Sequence, residues 1–141
     1  GLIAAVVLTG TAFAQDTPAP DNAELYFIGL EDGAEVTAPL TVQFGLRGMG
    51  VAPAGVEQEM TGHHHLFVNR PPLGEGEFGA EEFELGIPSD ENHIHFGGGQ
   101  TETTLDLPAG EHTLQLVLGD HGHVPHTPPV TSEVITITVS K

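Results

Sequence analysis

The residues able to do chemistry sit in three short segments. They are Gly62-His63-His64-His65-Leu66-Phe67-Val68, then Glu91-Asn92-His93-Ile94-His95-Phe96-Gly97-Gly98-Gly99-Gln100, then Gly119-Asp120-His121-Gly122-His123-Val124-Pro125-His126. Eight of the nine histidines lie there, and the ninth, His112, opens the apolar run that leads to Asp120. Neutral imidazole is the commonest protein ligand for zinc, copper and nickel, and it titrates near neutrality. The pattern therefore points to a metal ion or to a proton.

Residues i and i+2 of a strand lie about 6.5–7 Å apart and project the same way, so two imidazoles so placed can converge on one ion. His63/His65 and His93/His95 have this spacing, and His121/His123 has it where the chain is extended. His126 follows in the same segment. The candidate ligands are His63, His65, His93, His95, His121, His123 and His126, with Cu(II) or Zn(II) as the ion. Asp90, Asn92 and Asp120 stand beside them and are the candidates for fixing ring tautomers from behind.

Each histidine also has a structural role open to it. His64 shares a strand face with Leu66 and Val68, which suits a core histidine bonded to a backbone carbonyl. His112 suits a surface position at the end of a turn, and His126, among prolines, suits a loop lock. The His-x-His pairs could belong to a buried polar network with Asn92, Gln100 and Thr101. For any single histidine the structural role is preferred; only the set argues for a metal.

Composition narrows the classes. Lys and Arg number 3 against 20 Asp and Glu, a net charge of -17. The basic side chains are Arg47, Arg70 and Lys141, too few to neutralise nucleic-acid or lipid phosphates. The acidic field attracts cations and favours solubility. Cysteine is absent, which removes disulfides, blue-copper sites, iron–sulfur clusters and thiolate zinc sites.

The elements that must position the histidines read as strands. Leu2 to Phe13 comes first, an apolar run closing on Ala12-Phe13-Ala14. That is the pattern of a secretory signal peptide over residues 1–14, lacking its usual Met and basic start, with cleavage leaving Gln15 first. It is short of the roughly 20 residues a membrane span needs. The mature protein is expected in the periplasm or outside the cell, with no membrane insertion after cleavage. Residues 15–23 read as a flexible leader and 24–141 as one domain.

Within the domain, strands are expected over 25–30, 40–47, 62–69, 92–96, 100–107, 112–120 and 134–139. Leu40, Val42, Phe44 and Leu46 alternate with polar residues, as do Ile135, Ile137 and Val139. Residues 73–84, rich in Gly and Glu, read as a long loop or a poorly ordered edge. Gly97-Gly98-Gly99 reads as a bend that lets another group approach closely; no Lys and no helix follow it to make a phosphate loop. No stretch shows a helical period. The fold class is all-β: an immunoglobulin-like antiparallel β-sandwich of about seven strands, with a small closed barrel as runner-up.

Named catalytic motifs are missing. There is no H-E-x-x-H and no G-x-S-x-G, and the gap from His93-Ile94-His95 to Glu102 is too long for a cupin. Gln15 at the mature N-terminus excludes an amino-terminal copper brace.

Several segments together carry a resemblance. They are Tyr26-Phe27-Ile28, Phe44 to Gly55, Thr61 to Leu66, Asn92 to Thr103, Leu118-Gly119-Asp120 and His123-Val124-Pro125-His126. In these the chain resembles the exported bacterial domain-of-unknown-function family 4399. The resemblance implies an exported single domain whose signature is these histidine segments, and it implies no activity. The acidic stretch from Gly74 to Glu84 is the departure, since shorter loops are expected there in the family.

Three functions follow in order. The first is an exported histidine-rich metal-binding protein that buffers or delivers Cu(II) or Zn(II), with no enzymatic activity required. The second is a structural or interaction module of the cell envelope whose histidines form a hydrogen-bond network. The third is a metalloenzyme like superoxide dismutase, resting on architecture and one dipeptide spacing.

Overall fold

The computed structural model describes residues 17–141. The expected signal peptide and the cleavage point after Ala14 lie outside the described residues.

Among the described residues, nine strands build two sheets. β1 (Glu24–Ile28), β3 (Leu40–Arg47) and β7 (Glu102–Leu105) form a three-stranded antiparallel sheet in the order β1-β3-β7. The second sheet has six strands. In it β2 (Glu35–Thr37), β9 (Ile135–Ser140), β8 (Gly110–Gly119) and β5 (Thr61–Val68) lie side by side. The free edge of β5 is shared by β4 (Gly50–Val51) at its start and β6 (His93–His95) further along. The long pairings are antiparallel, while β2–β9 and β4–β5 are parallel. The fold is an all-β sandwich. All seven expected strands form. The two additional ones, β2 and β4, are three and two residues long and have no alternation of their own to announce them.

The core lies between the sheets. Val42 and Phe44 of β3 and Leu25 of β1 face Leu66 of β5, Leu114, Leu116 and Leu118 of β8, and Ile135, Ile137 and Val139 of β9. Register aligns the inward sets: His64 pairs with Leu118, Leu66 with Leu116, and Val68 with Leu114. Alternation sends the other set, His63, His65 and Phe67, to the outer face. That face is not left to solvent, because residues 62–68 of β5 are all buried. Phe67 and Val117 are covered by Ile87 and Leu73 of the connection between β5 and β6, and the loop after β8 covers the rest. The central strand is thus buried on both faces, which places polar residues of the outer face in a desolvated site.

Three expectations change. Residues 73–84 are ordered. A short 3-10 helix spans Gly79–Phe83, and Glu82 binds both Arg70 (2.7 Å) and the Gly74 amide (3.1 Å). The leader is docked from Thr17 onward: Thr17 and Ala19 exchange backbone hydrogen bonds with Thr127 at 2.8 and 3.2 Å. His112 is buried, since its Nε2–H donates to the Pro108 carbonyl (2.7 Å) and its Nδ1 accepts from the Asn69 amide (2.8 Å). Both of its nitrogens are committed.

Leu116 is fully buried between the sheets and Ile28 is 47% exposed. Leu116→Ala is expected to lower unfolding free energy by about 2–5 kcal/mol and Ile28→Ala by less than about 0.5 kcal/mol, both read from urea denaturation.

Candidate metal centre

Two neighbouring strands deliver three imidazoles. β5 and β6 pair with His65 opposite His95 and Phe67 opposite His93. Opposed residues of an antiparallel pair project to one face. His63, His65 and His95 therefore stand together on the outer face of the larger sheet.

A loop delivers the fourth. Asp120, 4% exposed, organises the turn that follows β8. Its Oδ1 accepts from the amides of Gly122 (2.8 Å) and Val124 (3.0 Å), and its Oδ2 accepts the Thr17 hydroxyl (2.7 Å). His123 is turned back over the strand in the left-handed region, at φ +66. Few residues with a Cβ adopt that conformation, and surrounding bonds must hold it. Here the His123 amide donates to the Asp120 carbonyl (2.9 Å), and the His123 carbonyl accepts from the Ile87 amide (2.7 Å).

The result is one group of four. One ring nitrogen each from His63, His65, His95 and His123 lies within 4.8 Å of the other three. His63 Nε2 is 2.8 Å from His65 Nε2 and 3.0 Å from His123 Nδ1. An imidazole nitrogen carries either one hydrogen or one lone pair. His63 Nε2 therefore has capacity for one full hydrogen bond, and two such contacts exceed it. His63 Nδ1, His65 Nδ1 and His95 Nε2 are also buried without a protein partner. Buried polar atoms are rarely left so, and each is costly. The converging nitrogens, His63 Nε2, His65 Nε2 and His123 Nδ1, are what a borderline dication requires, whereas the Nδ1 atoms of His63 and His65 diverge from that point and would not meet the ion.

The cradle is made of glycine. Gly119 stands opposite His63 in register, and a Cβ there would sit 2.6 Å from His65 Nε2. A Cβ at Gly97 would sit 2.7 Å from His95 Nε2. Gly97 thus has the close-approach role expected for the Gly97–Gly99 bend.

Electrostatics keep the rings neutral. Burial, reinforced by His123 and His95, pushes His63 down to about 4, against a partial upward pull from Asp120. Burial and the neighbouring imidazoles push His65 further, to about 2. His95 is lowered by burial and by His123. Near pH 7 these three rings carry no second proton, so a change of tautomer suffices to turn a lone pair toward a cation.

The other histidines stand elsewhere. His93 is on the same face but one pair further along, over Phe67. Its Nδ1–H donates to Asp90 (2.7 Å) and its Nε2 accepts from Arg70 (2.9 Å), so neither nitrogen is left for an ion. Arg70 is itself inserted over the Phe67 ring and paired with Glu82. His121 is exposed on the loop. His126 is buried behind Gly62, and its Nε2–H donates to the Thr61 carbonyl (3.1 Å). His64 occupies the sandwich core 5.0 Å from the Phe44 ring, with neither nitrogen bonded. The backbone carbonyl expected for it is not there, because its ring points into apolar space between the sheets.

The proposed outer partners also divide. Asp90 and Asn92 secure the His93 end: Asp90 holds the His93 ring, and the Asn92 side chain donates to the Val68 carbonyl (2.8 Å). Asp120 serves the group of four, through the backbone of the His123 loop and through no ring. Thr17, Gly119, Arg70 and Glu82 were not singled out from sequence. Arg70 had one signal, being one of only three basic residues in the chain.

An all-β sandwich with four imidazoles gathered on one buried sheet face defines a histidine-cluster domain. Residues 42–140 match the family model for the domain of unknown function DUF4399, and the chain belongs to that family. No curated protein and no solved structure matches the chain.

Two outcomes are expected. His63, His64, His65 and His95 are held below their ordinary value of 6.5 when folded. The unfolded chain therefore takes up protons first as pH falls. Stability is complete above about pH 6.5 and declines toward pH 4, where His63 and His64 begin to charge in the folded state. Melting temperature in metal-free buffer should drop steadily between pH 7 and pH 4.5; a flat profile would contradict the neutral cluster. Gly119→Ala should cost about 1–3 kcal/mol in chemical denaturation, because His65 must shift to admit the methyl group.

Proposed function

We propose that this protein is exported and binds a transition-metal ion, Cu(II) or Zn(II), through His63, His65, His95 and His123, as a buffer or carrier of that ion. The observation that carries the proposal is the convergence of four imidazoles, two of them fully buried, in a glycine-lined space. The contacts at His63 Nε2 exceed what hydrogen bonding alone can use. The strongly acidic chain supports it by drawing cations toward the site. Export rests on the signal-peptide pattern of residues 1–14. His93, His121 and His126 lie outside this ligand set.

One alternative has an observation of its own. The 2.8 and 3.0 Å nitrogen contacts fall in the hydrogen-bond range, as a purely structural imidazole network would require.

Thermal unfolding of the chelator-treated protein separates the two. A ligand bound only by the native state at 100 times its Kd adds about 2.7 kcal/mol, which raises the melting temperature of a domain this size by roughly 10 °C. We expect such a rise with Zn(II) or Cu(II), and its loss in His63→Ala/His95→Ala. A double variant equally destabilised with and without metal, and a parent protein that no metal stabilises, would favour the network. The depressed imidazole pKa values add a pH signature. The ion should remain bound as pH falls past 6.5, the point where an exposed histidine site would release it, and should leave with the acid unfolding of the domain.

A further inference from the structure

We infer that the four-histidine group is a closed tetrahedral site built to hold Zn(II), and not an open or planar site for copper chemistry. The inference rests on the metal-binding function proposed above and adds the ion, its geometry and the kind of work it does.

The geometry is legible from the ring positions. A metal–nitrogen bond of about 2.0–2.1 Å places the ring centroid about 3.2 Å from the ion. Four imidazoles at the corners of a tetrahedron then have six equal centroid separations of about 5.2 Å. Four in a square plane have four separations of about 4.5 Å and two diagonals of about 6.4 Å, the arrangement preferred by Cu(II) and Ni(II).

The observed separations fit the first pattern. His63 lies 4.6 Å from His65, 5.0 Å from His95 and 4.9 Å from His123. His65 lies 5.1 Å from His95 and 5.7 Å from His123, and His95 lies 4.5 Å from His123. No pair reaches a planar diagonal. In a plane, the pair disjoint from the longest would also be long. Here the longest is His65–His123 at 5.7 Å, and its disjoint pair, His63–His95, is 5.0 Å. The four ring centroids form a mildly compressed tetrahedron.

Donor chemistry narrows the ion further. All four ligands are imidazoles, with no thiolate or thioether among them to select Cu(I) and no carboxylate to favour a harder ion. A tetrahedral set of imidazoles suits Zn(II), which has no geometric preference from its d electrons, better than Cu(II) or Ni(II), which prefer a plane. Tight Cu(II) binding in the test tube would not by itself contradict this, since nitrogen sites in general bind Cu(II) above Zn(II).

The site is also closed. Catalytic zinc sites use three protein ligands and keep the fourth position for water or substrate; structural sites fill all four. Here His63, His65 and His95 come from paired strands, and His123 completes the set from the loop that Asp120 holds. With all four corners taken by protein, no position is offered to a reactant.

The test uses Co(II) as a spectroscopic stand-in for Zn(II), on the full mature chain. We expect Co(II) to give the intense visible bands of a four-coordinate ion, and Zn(II) to bleach them on addition. In His123→Ala, whose change lies on a loop and spares the strand ladder, the bands should weaken and shift as water enters. Zn(II) affinity should fall by at least about tenfold. Faint Co(II) bands of a five- or six-coordinate ion, or a Cu(II) electron paramagnetic resonance spectrum of a regular square plane, would overturn the tetrahedral assignment and leave metal binding standing. Unchanged Co(II) bands in His123→Ala would overturn the closed four-histidine set. Failure of Co(II), Zn(II), Cu(II) and Ni(II) alike to bind would overturn the metal-binding function itself.

Discussion

The structure depends on one constraint: its central strand is buried on both faces while carrying three consecutive histidines. In a half-buried strand the polar set faces water and needs no partners. In β5 the inward set joins the sandwich core, and the outward set lies under the β5–β6 connection and the loop after β8. Imidazoles in such a place must stay neutral and must find something to bind. His65 and His63 are driven far down in pKa by burial, and the nitrogens they present to one another outnumber the hydrogen bonds available. The site follows from that surplus.

The rest of the outer face supports the same arrangement. Gly119 and Gly97 leave out side chains where the His65 and His95 rings need room. Asp120 uses one carboxylate oxygen to hold the loop that carries His123, and Thr17 closes the far side of that carboxylate. The Arg70–Glu82 pair and the Asp90–His93 pair fix the neighbouring end of the face, where the His93 ring is fully engaged by charged partners. Two imidazoles on one three-residue strand thus have different fates. His95 joins the cluster, while His93, one pair further along β5, is held by a carboxylate and a guanidinium.

Much of the fold was legible in the residues. Alternation over Leu40–Arg47 and over Ile135–Val139 announces half-buried strands, because side chains of a strand point to opposite faces with period two. β2 and β4 were not legible, since elements of three and two residues have no period and exist only because β9 and the start of β5 offer them an edge. The order in residues 73–84 was also hidden. It comes from Arg70 and Glu82, twelve positions apart, meeting under a loop whose composition alone suggested disorder.

For the site, the sequence by itself determined the chemistry on offer. Histidine without cysteine, in an acidic chain, removes thiolate and leaves imidazole and carboxylate as the donors on offer. The i, i+2 spacing in β5 guarantees that His63 and His65 share a face whatever else the chain does. Only the tertiary structure decided which other histidines join them. Strand register set His95, not His93, opposite His65. A left-handed turn held by Asp120 brought in His123 and left His121 outside. Those choices rest on contacts between residues up to 103 positions apart, such as Thr17 with Asp120. Local spacing can state which side chains point the same way, but distance in space is fixed by register and loop closure, and these are properties of the whole packed chain.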